Sequence, residues 1–177
     1  MSAVIVLVTF YSRCGSTEKL ALAAAVGAVQ ARANIRLRRL PDASASSAAE
    51  ESKECKENLH RMRKEYVAPT ESDVLSADAV IFVAPPNFDT SAAEWTGYLD
   101  LLGRMSSEGK LETKVGAALS AGESAQTALS TAILQAGFIV APPNSAGATP
   151  AAAGHATTLG RRVVAVARAL KPREQAG

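Results

Sequence analysis

Apolar residues in this chain fall into short runs that alternate with longer stretches in which they recur every third or fourth position. The short runs, rich in valine, isoleucine and alanine, predict strands over 4–10, 35–40, 79–84, 114–120 and 138–140. The longer stretches predict helices over 17–33, 92–105, 125–136 and 156–170, with a short one near 74–78. Because strands alternate with helices, we predict an α/β fold in which helices cover both faces of a parallel sheet.

The handedness of the crossovers limits how such a chain can be wound, since they are almost always right-handed. If the strand order is 2-1-3-4-5, the winding reverses between strands one and three, and ligands bind there, outside the carboxyl ends of the strands. The run 79–84 is apolar throughout and belongs in the centre, whereas 35–40 alternates with arginines and belongs near an edge. We predict one domain over 1–171 and a flexible tail over 172–177.

The segment 42–68 breaks this pattern because it is first rich in serine and alanine, and then dense in Glu, Lys and Arg. Opposite charges three and four positions apart favour an exposed helix. Leu59, Met62 and Tyr66 recur at helical spacing, so one side of that helix is expected to pack on the domain. We interpret 42–68 as a charged helical insertion between strands two and three; the alternative is a surface for a partner.

The turn after the first strand, within 9–17, carries hydroxyl side chains, a glycine and an arginine just before a helix. The start of a helix offers unpaired N–H groups and the positive end of its dipole, which favours a phosphate. The predicted phosphate-binding residues are Ser12, Arg13, Cys14, Gly15, Ser16 and Thr17. The stretch is neither a Walker loop nor a dinucleotide fingerprint. A phosphatase-type Cys14 is excluded because Leu20 stands where an arginine is needed, which leaves an ordinary turn with a Ser or Thr N-cap as the alternative.

Two further loops leave the same edge of the predicted sheet. The second loop supplies backbone donors and an aromatic ring, through Pro85, Pro86, Asn87, Phe88, Asp89 and Thr90. The third loop is short and small enough to approach a flat ring closely, through Ser120, Ala121, Gly122 and Glu123. The convergence of the three loops predicts a flavin-like ligand.

The residues of the first loop, 11–17, resemble the FMN phosphate loop of the flavodoxin-like family. Within that family the chain is similar to the NAD(P)H:quinone oxidoreductase branch, which includes the Trp-repressor-binding-like proteins. Three more segments carry this likeness: 78–88 with its Asp-Ala-Val-Ile-Phe and Pro-Pro-Asn-Phe, Leu99–Asp100, and Gly109-Lys110-Leu111 followed by Lys114.

The resemblance implies the strand order 2-1-3-4-5, FMN as cofactor at the three loops, and electron transfer from NAD(P)H to a quinone or similar acceptor. It also implies a homo-oligomer, either a dimer or a tetramer. This chain departs from the branch at Asn87, where the branch has Arg, and at Asp89 and Thr90, where it has Gly-Asn. FMN binding is therefore better supported than quinone reduction. No catalytic side chain is assigned, because the flavin itself accepts the hydride.

Composition narrows the remaining classes of function. A net charge of +2, with no concentrated basic patch, argues against a nucleic-acid-binding protein and against an acidic one-electron flavodoxin carrier. The two cysteines, Cys14 and Cys55, lack the spacing of a disulfide or metal site, so we expect no metal and a reducing cytoplasm. No run is long enough to span a membrane. Two alternative functions stay open: a non-catalytic module without FMN, whose contact surface would be 46–66, and a one-electron flavodoxin carrier.

Overall fold

The computed structural model describes residues 3–43, 51–142 and 153–171. Its strands form one parallel sheet in the order β2-β1-β3-β4-β5, which confirms the predicted order. The strands are β1 Val4–Phe10, β2 Ala33–Arg39, β3 Ala79–Ala84, β4 Val115–Ser120 and β5 Ile139–Val140. The all-apolar β3 lies in the centre, and β2 lies at one edge, as its arginines predict.

Within the described ranges six helices cover the sheet: α1 Ser16–Gln30, α2 Lys53–Glu65, α3 Glu71–Ser76, α4 Ala93–Ser107, α5 Glu123–Gln135 and α6 Ala153–Leu170. Successive side chains of a strand point to opposite faces, so β1 contributes to two cores. Val6 and Val8 pack in a core with α1 and α6, whereas Leu7 packs in the other with α3, α4 and α5. The site loops emerge between these two layers, at the carboxyl ends of the strands. No helix among the described residues is long and apolar enough to cross a membrane.

The charged segment forms helix α2, which packs by the side that its spacing predicts. Met62 is fully buried in the core of α1 and α6, and Leu59 is 7% exposed. The ring of Tyr66 stands edge-on to that of Phe10, with the ring centres 5.0 Å apart. α2 is therefore the element that carries the chain from β2 back towards β3, over the start of α1. The stretches 44–50 and 172–177 of the predicted insertion and tail lie outside the described residues.

A buried carboxylate, Glu18, joins α1 to α2. Both of its oxygens accept hydrogen bonds from Arg61, at 2.9 and 2.6 Å, and the Tyr66 hydroxyl donates to it at 2.8 Å. The hydrogen bonds from Arg61 lower the pKa of Glu18, against the opposing effect of burial. A carboxylate whose pKa is lower in the folded than in the unfolded protein stabilises the fold at pH values above its pKa in the unfolded chain. This stabilisation is lost as the pH falls through its pKa in the folded protein.

We therefore expect Glu18→Gln to flatten the acid side of the stability profile. Urea unfolding between about pH 3 and 7 should show a smaller loss of unfolding free energy in the variant than in the wild type, because only the wild type must protonate this carboxylate. The control is Glu71→Gln, which removes a solvent-exposed pair with Lys110 and should leave a profile close to that of the wild type. An unchanged slope in Glu18→Gln would contradict the expectation.

Candidate active site

The first loop presents the bare N-terminus of α1. Gly15 is the N-cap, and no hydrogen bond from a described side chain caps the helix. The first helical hydrogen bond runs from the N–H of Lys19 to the carbonyl of Gly15, at 3.1 Å. The N–H groups of residues 16–18 therefore have no carbonyl partner within the helix and are available to an anion. The alternative prediction of a Ser or Thr N-cap is wrong.

Two residues of this loop set its shape. Gly15 has φ of +103°, a conformation that side chains other than hydrogen rarely tolerate. Its N–H donates to Oγ of Ser12 at 3.1 Å, and Ser12 is only 2% exposed. Both were predicted to touch the ligand, but the structure uses them to fold the loop.

Beneath the loop lies Arg39, the last residue of β2, which was not predicted to be functional. Its Nε and Nη2 donate to the carbonyl of Ser12 at 3.1 and 2.9 Å, and Nη2 also donates to Asp42 at 2.7 Å. Its guanidinium lies 5.4 Å from the ring centre of Tyr11. Arg39 is only 5% exposed, contrary to the exposed face expected of an alternating edge strand. It is buried because the loop carbonyl and the carboxylate replace its water.

A cleft of about 310 Å³ opens between the first and second loops. This volume is at the lower end of the range of small-molecule sites, roughly 300–1,000 Å³. One side is polar and the other aromatic; the lining residues are Tyr11, Arg13, Cys14, Ser16, Thr17, Pro85, Asn87, Phe88, Ala92, Glu94 and Trp95. Phe88 and Trp95 pack edge to face, with ring centres 5.1 Å apart.

This donor set fits FMN. Hydroxyls and helix N–H groups on one side suit a phosphate, and aromatic and amide groups on the other suit a flat ring with several acceptors. Trp95 adds a second sign: its buried Nε1–H has no hydrogen-bond partner among the described residues. A buried donor without a partner is costly, and a ligand acceptor would satisfy it. On sequence alone a flavin-stacking role for Trp95 was the less favoured interpretation, because its helical position favours core packing.

The second loop is only partly as predicted. Pro85, Asn87 and Phe88 line the cleft, but Asp89 does not belong to the described lining. The exposed carboxylate of Asp89 instead accepts a hydrogen bond from the N–H of Ser91 at 2.7 Å, and the hydroxyl and N–H of Ser91 lower its pKa. The carboxylate of Asp89, where the family pattern has Gly, therefore makes its hydrogen bonds within the turn. Pro86 and Thr90 also lie outside the described lining.

The third loop packs against the second loop, and none of its residues is among the described residues that line the cleft. The hydroxyl of Ser120 donates to the carbonyl of Pro85 at 3.2 Å. A Cβ added to Gly122 would lie 2.5 Å from the carbonyl of Pro86, so only glycine permits this approach. The prediction that Ser120, Ala121, Gly122 and Glu123 contact the ligand is therefore not matched by this cleft.

Of the two charged side chains that line the cleft, Arg13 and Glu94, the first is paired. Arg13 forms a salt bridge with Glu51, which precedes α2. The Tyr11 hydroxyl donates to Asp42 at 3.2 Å, and burial, followed by the charge of Asp42, raises the pKa of Tyr11. Tyr11 therefore stays neutral and acts as a donor. Among the described residues no group of three or more His, Cys, Asp or Glu side chains is placed to hold a metal ion.

The two cysteines form a disulfide, Cys14–Cys55, with their Cα atoms 4.4 Å apart. The sequence-based expectation that they do not pair is wrong. Their separation of 41 residues carries no recognisable spacing, and they meet because α2 crosses over the first loop. The side-chain amide of Asn58, one turn further along α2, donates to the carbonyl of Cys14 at 3.1 Å.

Comparison with known families shows to which family this chain belongs. A family model described as NADPH-dependent FMN reductase matches residues 3–152. The chain belongs to this family. Membership confirms the predicted flavodoxin-like, FMN-linked family; the activity and the side chains that would hold the flavin are proposed below.

Curated relatives agree with this assignment. Over 118 residues, 67% of this chain, it is 31% identical to a protein of Archaeoglobus fulgidus named NAD(P)H dehydrogenase (quinone). Over 134 residues, 76% of this chain, it is 31% identical to a protein of the same name from Rhizobium rhizogenes. These matches cover only 61% and 63% of the relatives' own length.

Solved structures confirm the fold. A WrbA-like flavodoxin from Agrobacterium tumefaciens superposes with a TM-score of 0.59, covering 96% of this chain and 100% of its own at 18% identity. A flavodoxin from the domain Archaea superposes with a TM-score of 0.61, covering 93% and 99% at 13% identity. Such low identities establish the common architecture and leave the chemistry to the site itself.

Proposed function

We propose that this protein binds FMN in the cleft between the first and second loops and uses it to pass electrons from NAD(P)H to a quinone or a similar acceptor. One observation carries the proposal: the uncapped first turn of α1 opens onto a cleft whose other side is formed by Phe88 and Trp95. Phosphate donors and aromatic surface thus stand at opposite sides of one cleft.

Within this proposal the chain binds and orients the cofactor. The hydroxyls of Ser16 and Thr17 and the free N–H groups of residues 16–18 hold the phosphate, with Arg39 fixing the loop from below. Asn87 and Phe88 lie beside the ring system, and Trp95 offers its unpaired N–H. Bound FMN supplies hydride acceptance and donation, while the aromatic wall keeps water from one side of the cleft. Arg13 and Cys14 line the first-loop side of the cleft, next to the phosphate-binding turn.

The electron donor and acceptor rest on the relatives' names, and those relatives are longer than this chain. An NAD(P)H-linked role supports a cytoplasmic location, where the nicotinamide pool is reduced. By resemblance we also expect a homo-oligomer, either a dimer or a tetramer, which light scattering behind size-exclusion chromatography measures directly.

The test of the site is Thr17→Val, which removes the hydroxyl of a residue that is 3% exposed and nearly preserves the volume of the side chain. A hydrogen bond to a charged group contributes about 1.5–3 kcal/mol, so the Kd for FMN should rise roughly 10- to 100-fold. The measurement is quenching of FMN fluorescence on titration, followed by NAD(P)H oxidation with several quinones.

The matched control is Thr96→Val, on the exposed side of α4, where the hydroxyl donates only to its own helix at 3.1 Å. It should bind FMN as the wild type does. Equal affinity in the two variants would remove Thr17 from the site. A wild-type protein that neither quenches FMN nor oxidises NAD(P)H would favour the alternative of a module without cofactor.

A further inference from the structure

The first loop is tied covalently to α2 by the Cys14–Cys55 disulfide, and nothing in the proposed reaction uses this bond. Cys14 lines the cleft directly beside the phosphate-binding turn. The chain contains two cysteines in all, so this pair accounts for its entire thiol chemistry. The position of the bond, at the edge of a ligand cleft, distinguishes it from a disulfide that staples a core.

Each sulfur stands at the start of a helix. Cys14 immediately precedes Gly15, the N-cap of α1. Cys55 lies in the first turn of α2, where its N–H donates to Oγ of the N-cap Ser52 at 3.1 Å. The positive end of a helix dipole stabilises negative charge that develops on a nearby sulfur. Both cysteines are therefore placed to leave readily as thiolates when the bond is broken.

Access to the two sulfurs differs. Cys14 is an exposed residue, whereas Cys55 is buried, with only 6% of its surface exposed. A thiolate from solution therefore reaches Cys14, and Cys55 becomes the leaving group. This asymmetry gives the exchange a direction, with an accessible attacked sulfur and a buried, helix-stabilised leaving sulfur.

We propose that Cys14–Cys55 is a thiol-exchange site for a small or protein-borne dithiol, and that its redox state sets the affinity of the cleft for FMN. One thiolate of the dithiol attacks Sγ of Cys14, forming a mixed disulfide and releasing Cys55 as a thiolate. The second thiolate of the dithiol then attacks the dithiol's own sulfur in that mixed disulfide and releases Cys14. The dithiol is oxidised to a disulfide, and the protein gains two electrons as two thiols.

The coupling to FMN rests on the proposed function. In the oxidised protein the bond to α2 holds the loop in one conformation, and a preorganised loop loses less freedom when it binds phosphate. In the reduced protein a Cys14 thiolate places negative charge beside the phosphate and competes for the same helix dipole. Both effects favour FMN binding by the oxidised form. The hydrogen bond from Asn58 and the Glu18–Arg61 pair still join the loop region to α2 after reduction, so the fold is expected to survive.

The first experiment counts alkylated thiols by mass spectrometry. Folded protein kept under air should not react with iodoacetamide, because both cysteines are in the disulfide. Protein treated with dithiothreitol should be alkylated at both cysteines, and Cys14 should react before Cys55. The concentration of dithiothreitol that half-reduces the protein should rise when FMN is present, because coupling between two sites is reciprocal. Free thiols in air-equilibrated protein would overturn the proposal.

The second experiment measures the Kd for FMN by fluorescence quenching in the oxidised protein, the reduced protein and Cys55→Ser. Reduction should raise the Kd about 5- to 150-fold, the usual range of coupling between sites. Cys55→Ser, whose changed residue lies outside the described lining of the cleft, should bind like the reduced protein and show no response to dithiothreitol. Equal Kd values for the oxidised and reduced wild type would overturn the coupling and leave the proposed function intact. No FMN binding in either state would overturn both.

Discussion

Arg39→Met is expected to lower the free energy of unfolding by about 3 kcal/mol, because removing one partner of a buried pair leaves the other partner uncompensated. The change deprives the Ser12 carbonyl of both its donors and leaves Asp42, whose side chain is 10% exposed, with the half-exposed Arg63 as its remaining cation and the Tyr11 hydroxyl as its other donor. The first loop is held by the same contacts, so FMN affinity should fall together with stability. Urea unfolding and an FMN titration on one preparation measure both effects.

Arg36→Met is the matched control for that change. Arg36 lies on the same strand, but its side chain is 41% exposed, and its partner Asp73 is also bonded twice by Arg38. Exposed ion pairs contribute about 0–1 kcal/mol, so this variant should unfold close to the wild type and bind FMN equally well. If the two variants lost the same stability, the assignment of Arg39 as the support of the loop would be wrong.

Gly160→Ala is expected to cost about 1–3 kcal/mol through overpacking of the α1–α6 contact. A Cβ at this position would lie 2.1 Å from the carbonyl of Ala24, so the two helices must separate to admit it. Helix propensity alone favours Ala over Gly by about 1 kcal/mol. A net decrease in the free energy of unfolding would therefore have to come from the clash. For a chain of this size each kcal/mol corresponds to a Tm change of roughly 2–4 °C, measurable by circular dichroism.

Gly103→Ala provides the control with the opposite sign. Gly103 is also inside a helix, α4, but no atom lies within 4 Å of the position that its Cβ would take. The substitution should therefore stabilise the protein by about 0.5–1 kcal/mol. If Gly160→Ala also stabilised the protein, α1 and α6 would be able to move apart without a loss of unfolding free energy, and the expected clash would be wrong.

The alternation of strands and helices was predictable because its causes are local, whereas the order 2-1-3-4-5 came from the family resemblance. Apolar periodicity distinguishes buried strands such as β3 from amphipathic helices, and right-handed crossovers then leave few ways to wind the sheet. Gly15 with hydroxyl residues just before a predicted helix is itself a local signal that favours an anion-binding turn. The packing side of α2 followed from helical spacing alone, through Leu59 and Met62.

The sequence by itself thus determined the strands and helices and their alternation along the chain, and it located the turn that we propose as the phosphate site. Only the tertiary structure decided which residues complete the site. Arg39, Trp95 and Cys55 owe their roles to neighbours that are distant along the chain, and residue spacing carries no record of such neighbours. The same holds for Gly122, whose contact with the second loop makes the third loop a support. Periodicity reports the environment of one residue, whereas a disulfide, a buried ion pair or an unpaired donor depends on two segments meeting in space.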